Sequence, residues 1–287
     1  MRIAAGRFTV KIAETDAEVA AAQRLRYRVF VEECGASASA AEQRHRREQD
    51  RYDPYCDHLL LLDSEADNPE VEEQVVGVYR LMRGDQAQAG IGFYGQTEYD
   101  LAALRDWPRP VLELGRSCVD ADYRGGAGMH LLWSGLAQYV ADNDIEILFG
   151  VASFHGTDPA AIAQALSHLH HSHLAPEDLR VRALEANHVA MDILPPDRVD
   201  RVEALRQTPA LIKAYLRLGG FVGDGAYIDH DFNTIDVCLL MDTTRMVGRY
   251  RTFYTREKGA LDQVPGCHAC PRGAGRGRGG AAGLGDL

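Results

Sequence analysis

The run Leu112-Glu113-Leu114-Gly115-Arg116-Ser117-Cys118-Val119 sets a carboxylate and a guanidinium into an otherwise apolar segment. With Val111 it has the length and composition of a buried strand. Charge in such a strand is costly unless it is paired or used. Strict alternation would put Glu113 and Arg116 on opposite faces. Gly115, between them, is the natural site for a β-bulge, which brings both side chains to one side. A bulge also opens the sheet where a backbone N–H can polarise a carbonyl. A structural ion pair between Glu113 and a loop arginine is the alternative.

Downstream, Asp122-Tyr123-Arg124-Gly125-Gly126-Ala127-Gly128 forms a glycine-rich turn before a helix over 129–140. Successive N–H groups and a helix N-terminus make an anion cradle suited to a pyrophosphate or a phosphopantetheine phosphate, with Arg124 as charge partner. No Lys-Ser/Thr follows, so the turn is not a P-loop. A buried strand is expected over 145–151, and a helix capped by Asp158 runs to about Leu169. Another helix over 209–218 is stopped by Gly219-Gly220, and closing strands follow at 227–229 and 236–241. His168, His170, His171 and His173 fall at a helix end where their rings scatter, so no metal site is expected.

Upstream, residues 58–63 and 74–83 read as a hairpin, and 91–110 as turns around one short apolar segment. Asp50-Arg51-Tyr52-Asp53-Pro54-Tyr55-Cys56-Asp57-His58 gathers acids before a strand; Asp53 and Asp57 suit a cationic amine or an arginine, and Asp53-Pro54 also suits a plain turn. Thr15 and Glu18 form a capping box for a first helix that runs to about Val31 and ends on Glu32-Glu33. Residues 35–49 form a polar loop or short exposed helix, basic in its second half. The order is β-α-β-β-β-α-β-α, then α-β-β.

The chain has 287 residues, 46% of them hydrophobic, enough for a large core, and a net charge of -11, which disfavours non-specific nucleic-acid binding. Its six cysteines are too sparse for a disulfide scaffold. The N-terminus lacks a secretory pattern, and no stretch approaches the roughly 18 apolar residues of a membrane span. A cytoplasmic protein is expected.

Leu25-Arg26-Tyr27-Arg28-Val29-Phe30, the acids of 50–57 and Glu113-Leu-Gly-Arg116 resemble the GNAT branch that uses acyl carrier protein, which includes acyl-homoserine-lactone synthases and ornithine N-acyltransferases. Residues 165–180 (ALSHLHHSHLAPEDLR), 208–220 (TPALIKAYLRLGG) and 229–237 (DHDFNTIDV) are similar to segments of the ornithine enzymes. In one respect the chain departs from acetyl-CoA GNATs. Their Q/R-x-x-G-x-G/A loop has Ala127 and Met129 at its glycine positions here, which suits a carrier-protein donor over CoA.

The resemblance implies an α/β GNAT (acyl-CoA N-acyltransferase-like) fold, a mixed central sheet flanked by helices. It spans residues 1–258 with a helical insertion near 158–218, and 259–287 form a disordered Gly/Arg-rich tail. It implies transfer of a 3-hydroxyacyl group from acyl carrier protein to the α-amine of L-ornithine, giving lyso-ornithine lipid, with transient inner-leaflet contact. No cofactor is implied beyond the carrier's 4'-phosphopantetheine. Glu113 and Arg116 would be catalytic. Arg28, Phe30, Glu32, Asp53 and Asp57 would bind substrate, and Tyr123, Arg124, Gly125, Gly126 and Gly128 the phosphopantetheine. Arg24, Arg28, Arg44, Arg46 and Arg47 offer the acidic carrier a basic patch. An autoinducer synthase, an acetyl-CoA-dependent acetyltransferase and a non-catalytic carrier-binding module are the alternatives.

Overall fold

The computed structural model describes residues 1–65, 74–105, 107–124 and 127–245. The tail at 259–287, most of the acidic turn after residue 63, and Gly125 and Gly126 lie outside the described residues. Among the described residues no helix is long and apolar enough to cross a membrane.

A ten-stranded mixed sheet organises the chain. Strands β1 (Arg2–Ala5), β2 (Phe8–Ile12), β3 (Asp57–Asp63) and β4 (Val75–Arg83) pair antiparallel in sequence order. The 58–63/74–83 hairpin is therefore present as read. Helix α1 (Asp16–Arg26) is capped as expected, Thr15 accepting from the Glu18 N–H. It does not stay α-helical to Val31. From Tyr27 to Glu33 the backbone widens into a π-helix, a form that recurs at functional sites. Helix α2 (Ala40–His45) is short and has no buried side chain.

The segment expected as turns between β4 and the central strand is more structured. It holds α3 (Gly84–Ala89), a 3₁₀ turn at Tyr94–Thr97, strand β5 (Tyr99–Asp100) and α4 (Ala102–Arg105). The central strand is β6 (Val111–Val119), followed by helix α5 (Ala127–Asp142) and strand β7 (Ile147–His155). Helix α6 (Ala163–His173), the short strands β8 (Arg182–Ala183) and β9 (His188–Val189), and helices α7 (Arg201–Gln207) and α8 (Ala210–Arg217) come next. Strands β10 (Phe221–Val222), β11 (Ala226–Asp229) and β12 (Thr234–Asp242) close the sheet, β12 pairing along all of β7 from Thr234↔His155 to Asp242↔Ile147.

The site is created where β6 meets β7. These strands are parallel and paired only at Val111↔Ile147, Leu112↔Leu148 and Glu113↔Phe149. Beyond that point they part, although each runs on for six residues. At the fork, an ideal Cβ on Gly150 would sit 2.1 Å from the Leu114 carbonyl oxygen. No side chain fits there without moving backbone. On its other edge β6 is bulged against β4: Arg80 opposes Gly115 and Val78 opposes Cys118, leaving Arg116 and Ser117 opposite Tyr79 alone. The bulge expected at Gly115 thus falls one residue later. Arg116 itself takes the left-handed backbone, φ +48°, which costs a non-glycine residue energy that the surroundings must offset.

Gly150→Ala is expected to destabilise the fold by about 1–3 kcal/mol, since the overpacked neighbour is a backbone carbonyl and not a flexible side chain. Denaturant unfolding measures it; a variant of wild-type stability would mean the fork tolerates a wider spacing.

Candidate active site

The fork opens into a cavity of about 570 Å³, a size common for small-molecule sites. Glu113 to Ser117 of β6, Leu148 to His155 of β7 and the cavity-facing residues of β12 form its walls, with Thr208 to Lys213 and Tyr215 at the start of α8 covering one end. Ile212, Leu239 and Met241 give that end an apolar wall, with Arg206, Gln207, Thr208 and Lys213 also in the lining. The other end gathers Arg116, Ser153, Asp229, Thr234 and Asp236, closed by Phe30 and Phe232.

Glu113 and Arg116 therefore share one cavity, as the strand suggested, but they are held by different partners. The Glu113 carboxylate is buried and accepts two backbone hydrogen bonds, from Gly95 N–H at 2.6 Å and Tyr94 N–H at 2.9 Å. Burial pushes its pKa up, and those two amides, then Arg80 and Arg116, only partly offset the effect. Among the described residues it is not ion-paired to a loop arginine.

Arg116 is anchored instead of pendant. Its Nε donates to Glu48 at 3.0 Å and one Nη to Asp50 at 3.2 Å. Its guanidinium lies 4.4 Å from the Tyr94 ring centroid and 4.7 Å from that of Phe232, a double cation–π contact. Burial opposes the charge, but Glu48, Tyr94 and Asp50 raise its pKa well above the ordinary arginine value. With two nitrogens engaged, the two-pronged grip expected of Arg116 on a substrate carboxylate is reduced to what its remaining Nη can offer.

Glu48 and Asp50 belong to a wider lattice. Arg26 of α1, fully buried, donates to Glu48 and in bidentate fashion to Asp53, at 2.9 and 3.1 Å. Arg80 of β4 reaches Asp50 at 2.7 Å and Asp53 at 2.9 Å. Three arginines face three carboxylates, so the lattice is neutral and its hydrogen bonds are charge-assisted. Burial opposes ionisation of Asp53, yet Arg26 and Arg80 outweigh it and hold its carboxyl well below the usual range.

This placement corrects several expectations for the substrate-binding residues. Asp53 does not reach the cavity, because its oxygens are taken by Arg26, Arg80 and Gln23. Asp57 pairs with Arg83 and the Tyr139 hydroxyl, away from the fork. Glu32 is exposed and pairs with Arg46, while Arg28 reaches Asp120 at 3.4 Å. Of the five, only Phe30 lines the cavity.

In the glycine-rich turn, Arg124 is clamped to both oxygens of Glu33 and donates to the Val119 carbonyl. The Tyr123 hydroxyl donates to Asp63. Gly128 lies within the first turn of α5, where a Cβ would come 2.9 Å from Leu61. Its missing side chain is explained by helix–sheet packing. The four histidines pair ring-to-edge on α6, His168 with His173 and His170 with His171.

Three residues that the sequence reading did not single out stand beside Arg116. Glu98, Asp229 and Asp236 bring carboxylate oxygens within 4.8 Å of one another. Asp236 lies between Ile235 and Val237, so the buried-charge logic that flagged Glu113 applied there too. Tyr94 and Phe232 gave no such signal, since an aromatic residue in a loop looks the same whether or not it stacks on a cation.

A forked parallel strand pair with a buried acid at the fork, on a mixed sheet of this topology, defines a GNAT-class N-acyltransferase. Residues 25–134 match the family described as "Acetyltransferase (GNAT) domain". The L-ornithine N(alpha)-acyltransferase of Rhodobacter capsulatus is 54% identical over 87% of this chain and 95% of its own length. That of Brucella abortus is 45% identical over 88% and 90%. Among solved structures, the N-acyl amino acid synthase FeeM from uncultured soil microbes is 13% identical, with a TM-score of 0.46, over 83% of this chain and 92% of its own. This chain belongs to the L-ornithine N(alpha)-acyltransferase family.

Asp53→Asn removes one side of the lattice and leaves Arg26 and Arg80 short of charge. It is expected to cost about 3–5 kcal/mol near neutral pH. Because the folded pKa of Asp53 is depressed, its contribution is full above the unfolded value of about 3.9 and fades as pH falls through the lower folded value. The stability gap between wild type and variant should therefore narrow in acid. Urea unfolding at pH 7 and pH 3 measures it, and a gap that does not change with pH would contradict the assignment.

Proposed function

We propose that this protein transfers a 3-hydroxyacyl group from the phosphopantetheine thioester of acyl carrier protein to the α-amine of L-ornithine, releasing lyso-ornithine lipid and the carrier thiol. One observation carries the reading. The strand fork makes a slot with an acid at its apex, an apolar wall of Ile212, Leu239 and Met241 toward one end and a polar, acid-rich group of side chains at the other. Such a slot suits an acyl chain and an amino acid meeting at a thioester.

The α-ammonium must lose a proton before it attacks. Glu113, directly or through one water, takes it; a carboxyl raised by burial is a better base near neutral pH than an ordinary glutamate. The nitrogen lone pair then adds to the thioester carbon. The oxyanion that forms is stabilised by β6 backbone N–H groups at Gly115 to Ser117, where the strand has left β7 and bulges from β4. Collapse of the tetrahedral intermediate breaks the C–S bond, and the second proton of the attacking nitrogen passes to the leaving thiolate. Arg116, braced between Tyr94 and Phe232, steadies the amino acid's carboxylate through its remaining Nη.

The donor assignment rests on the loop before α5, where Ala127 and Met129 replace the glycines of acetyl-CoA GNATs. A carrier protein also brings its own docking surface. The exposed Arg44 and Arg46 of the α2 region and Arg28 face outward to meet an acidic partner. A lipid product implies transient contact with the inner leaflet.

The direct test is expression in a host lacking ornithine lipids, with mass spectrometry of the lipid extract. Lyso-ornithine lipid is expected; an acyl-homoserine lactone or an acetylated amine would favour the alternative donors and acceptors. With purified protein, Glu113→Gln is expected to lower kcat about 10²–10⁴-fold. It should also remove the acid limb of the pH–rate profile, which in the wild type lies above the ordinary glutamate pKa of about 4.3. Gln keeps one of the two acceptor oxygens facing Tyr94 and Gly95, so thermal melting accompanies the assay to confirm the fold. Full activity in a folded variant would refute the role of Glu113 as base.

A further inference from the structure

Glu98, Asp229 and Asp236 are set apart from the other buried charges of the protein. The arginine lattice is neutral, and Glu113 is capped by two amides. In the trio, Asp229 Oδ1 accepts from the Asp231 and Phe232 N–H groups at 2.8 and 3.0 Å, but no such capping is given to Glu98 or to Oδ1 of Asp236. None of the three forms an ion pair among the described residues. Both Glu98 carboxylate oxygens and Oδ1 of Asp236 are buried without a hydrogen-bond partner, and so is the nearby Thr234 hydroxyl. Glu98 is only 3% exposed, and Asp236 likewise 3%. An unpaired buried carboxylate is costly, so two of them converging on a third acid are not a packing convenience.

The trio is built from three separate elements. Glu98 ends the 3₁₀ turn whose Tyr94 and Gly95 amides cap Glu113, Asp229 ends β11, and Asp236 lies in β12 opposite Ser153 of β7. Asp229 and Asp236 line the cavity, and the Glu98 oxygens point at theirs. Burial raises the Glu98 carboxyl well above its ordinary value, and Asp236 and Asp229 raise it further. Asp236 is pushed up to about 6, chiefly by burial, with Asp229 adding to it against the Ser153 hydroxyl. Arg116 is the nearest compensating charge, but Glu48 and Asp50 already hold it.

Resting on the acceptor assignment above, we propose that this trio is the recognition site for the second, side-chain ammonium of the diamino-acid acceptor. An ammonium presents three N–H donors and one positive charge, which match three converging carboxylates that have no cation of their own among the described residues. The arrangement also fixes which nitrogen reacts. The δ-nitrogen, with a pKa near 10 by analogy with lysine, stays protonated among the acids and is not nucleophilic. The α-nitrogen, at the other end of the substrate, is left to Glu113. The binding energy of the charged end thereby orients the reacting end.

The test compares L-ornithine with L-norvaline, which has the same carbon chain without the δ-amine. The proteins are full-length wild type, Glu98→Gln and Asp236→Asn, with acyl carrier protein thioester as donor. Acylation of ornithine by the wild type reports on the acceptor assignment itself; the ratio of kcat/KM for ornithine over norvaline reports on the trio. That ratio is expected to be at least 100 in the wild type and to fall 30-fold or more in each variant. Removing one of three mutually repelling acids, two of them buried, should at the same time leave the melting temperature equal to or above wild type, a readout that a merely structural acid would move downward. The proposal is overturned if both folded variants keep the wild-type ratio. It is equally overturned if wild-type turnover is lost on chelation and restored by Ca²⁺ or Mg²⁺, which would make the trio a metal site.

Discussion

The close approach of Gly150 to the Leu114 carbonyl is the constraint on which the rest depends. Three residue pairs hold β6 and β7 together; past that point the strands diverge, and a cavity takes the place of the hydrogen bonds they would have made. Open backbone inside a protein is tolerated only where something else will pair with it. In the proposed mechanism a ligand enters this cavity, and the unpaired strand edge supplies the donors to its carbonyl. The bulge on the far edge of β6 works in the same direction. It absorbs a residue of mismatch with β4 and turns Arg116 toward the same space as Glu113.

Around this fork the charges are sorted by whether they are balanced within the protein. Arg26, Arg80 and Arg116 are matched by Glu48, Asp50 and Asp53, so the 48–55 segment is fastened to α1 and to the sheet at little net charge. The widening of α1 into a π-helix places Phe30 at the cavity while Arg26, one turn earlier, stays in the lattice. Charges left unbalanced are found where substrate would supply the counterpart. The neutral lattice is thus scaffolding that fixes the position of Arg116, and the acids beside it, with Glu98 and Asp236 unpaired among the described residues, are where the proposed cation site lies.

Much of this was legible in the sequence because buried charge in an apolar strand is a conspicuous anomaly. Glu113 and Arg116 stood out for that reason, and the hairpin and the closing strands followed from hydrophobic alternation. The bulge position was misjudged by one residue, since glycine is the cheaper place for a positive φ and tertiary contacts overrode that preference at Arg116. The acids of 50–57 were recognised as unusual, but sequence cannot tell an acid that meets substrate from one that, like Asp53, meets Arg26 and Arg80, each 27 residues away. Gly128 illustrates the same limit: a glycine beside a helix start looks like an anion cradle, while the structure uses it to seat α5 against Leu61. The 3₁₀ turn at Tyr94–Thr97 carries no periodicity, and with it went the two amides on Glu113 and the carboxylate of Glu98.

The most direct measurement is a crystal structure with a non-hydrolysable acyl-pantetheine thioester analogue and L-ornithine bound. The account predicts the analogue's carbonyl between β6 and β7 beside Gly115 to Ser117, with the acyl chain toward Ile212 and Met241 and the α-nitrogen within one water of Glu113. An analogue seated outside the fork, with β6 and β7 closed over an empty space, would contradict it.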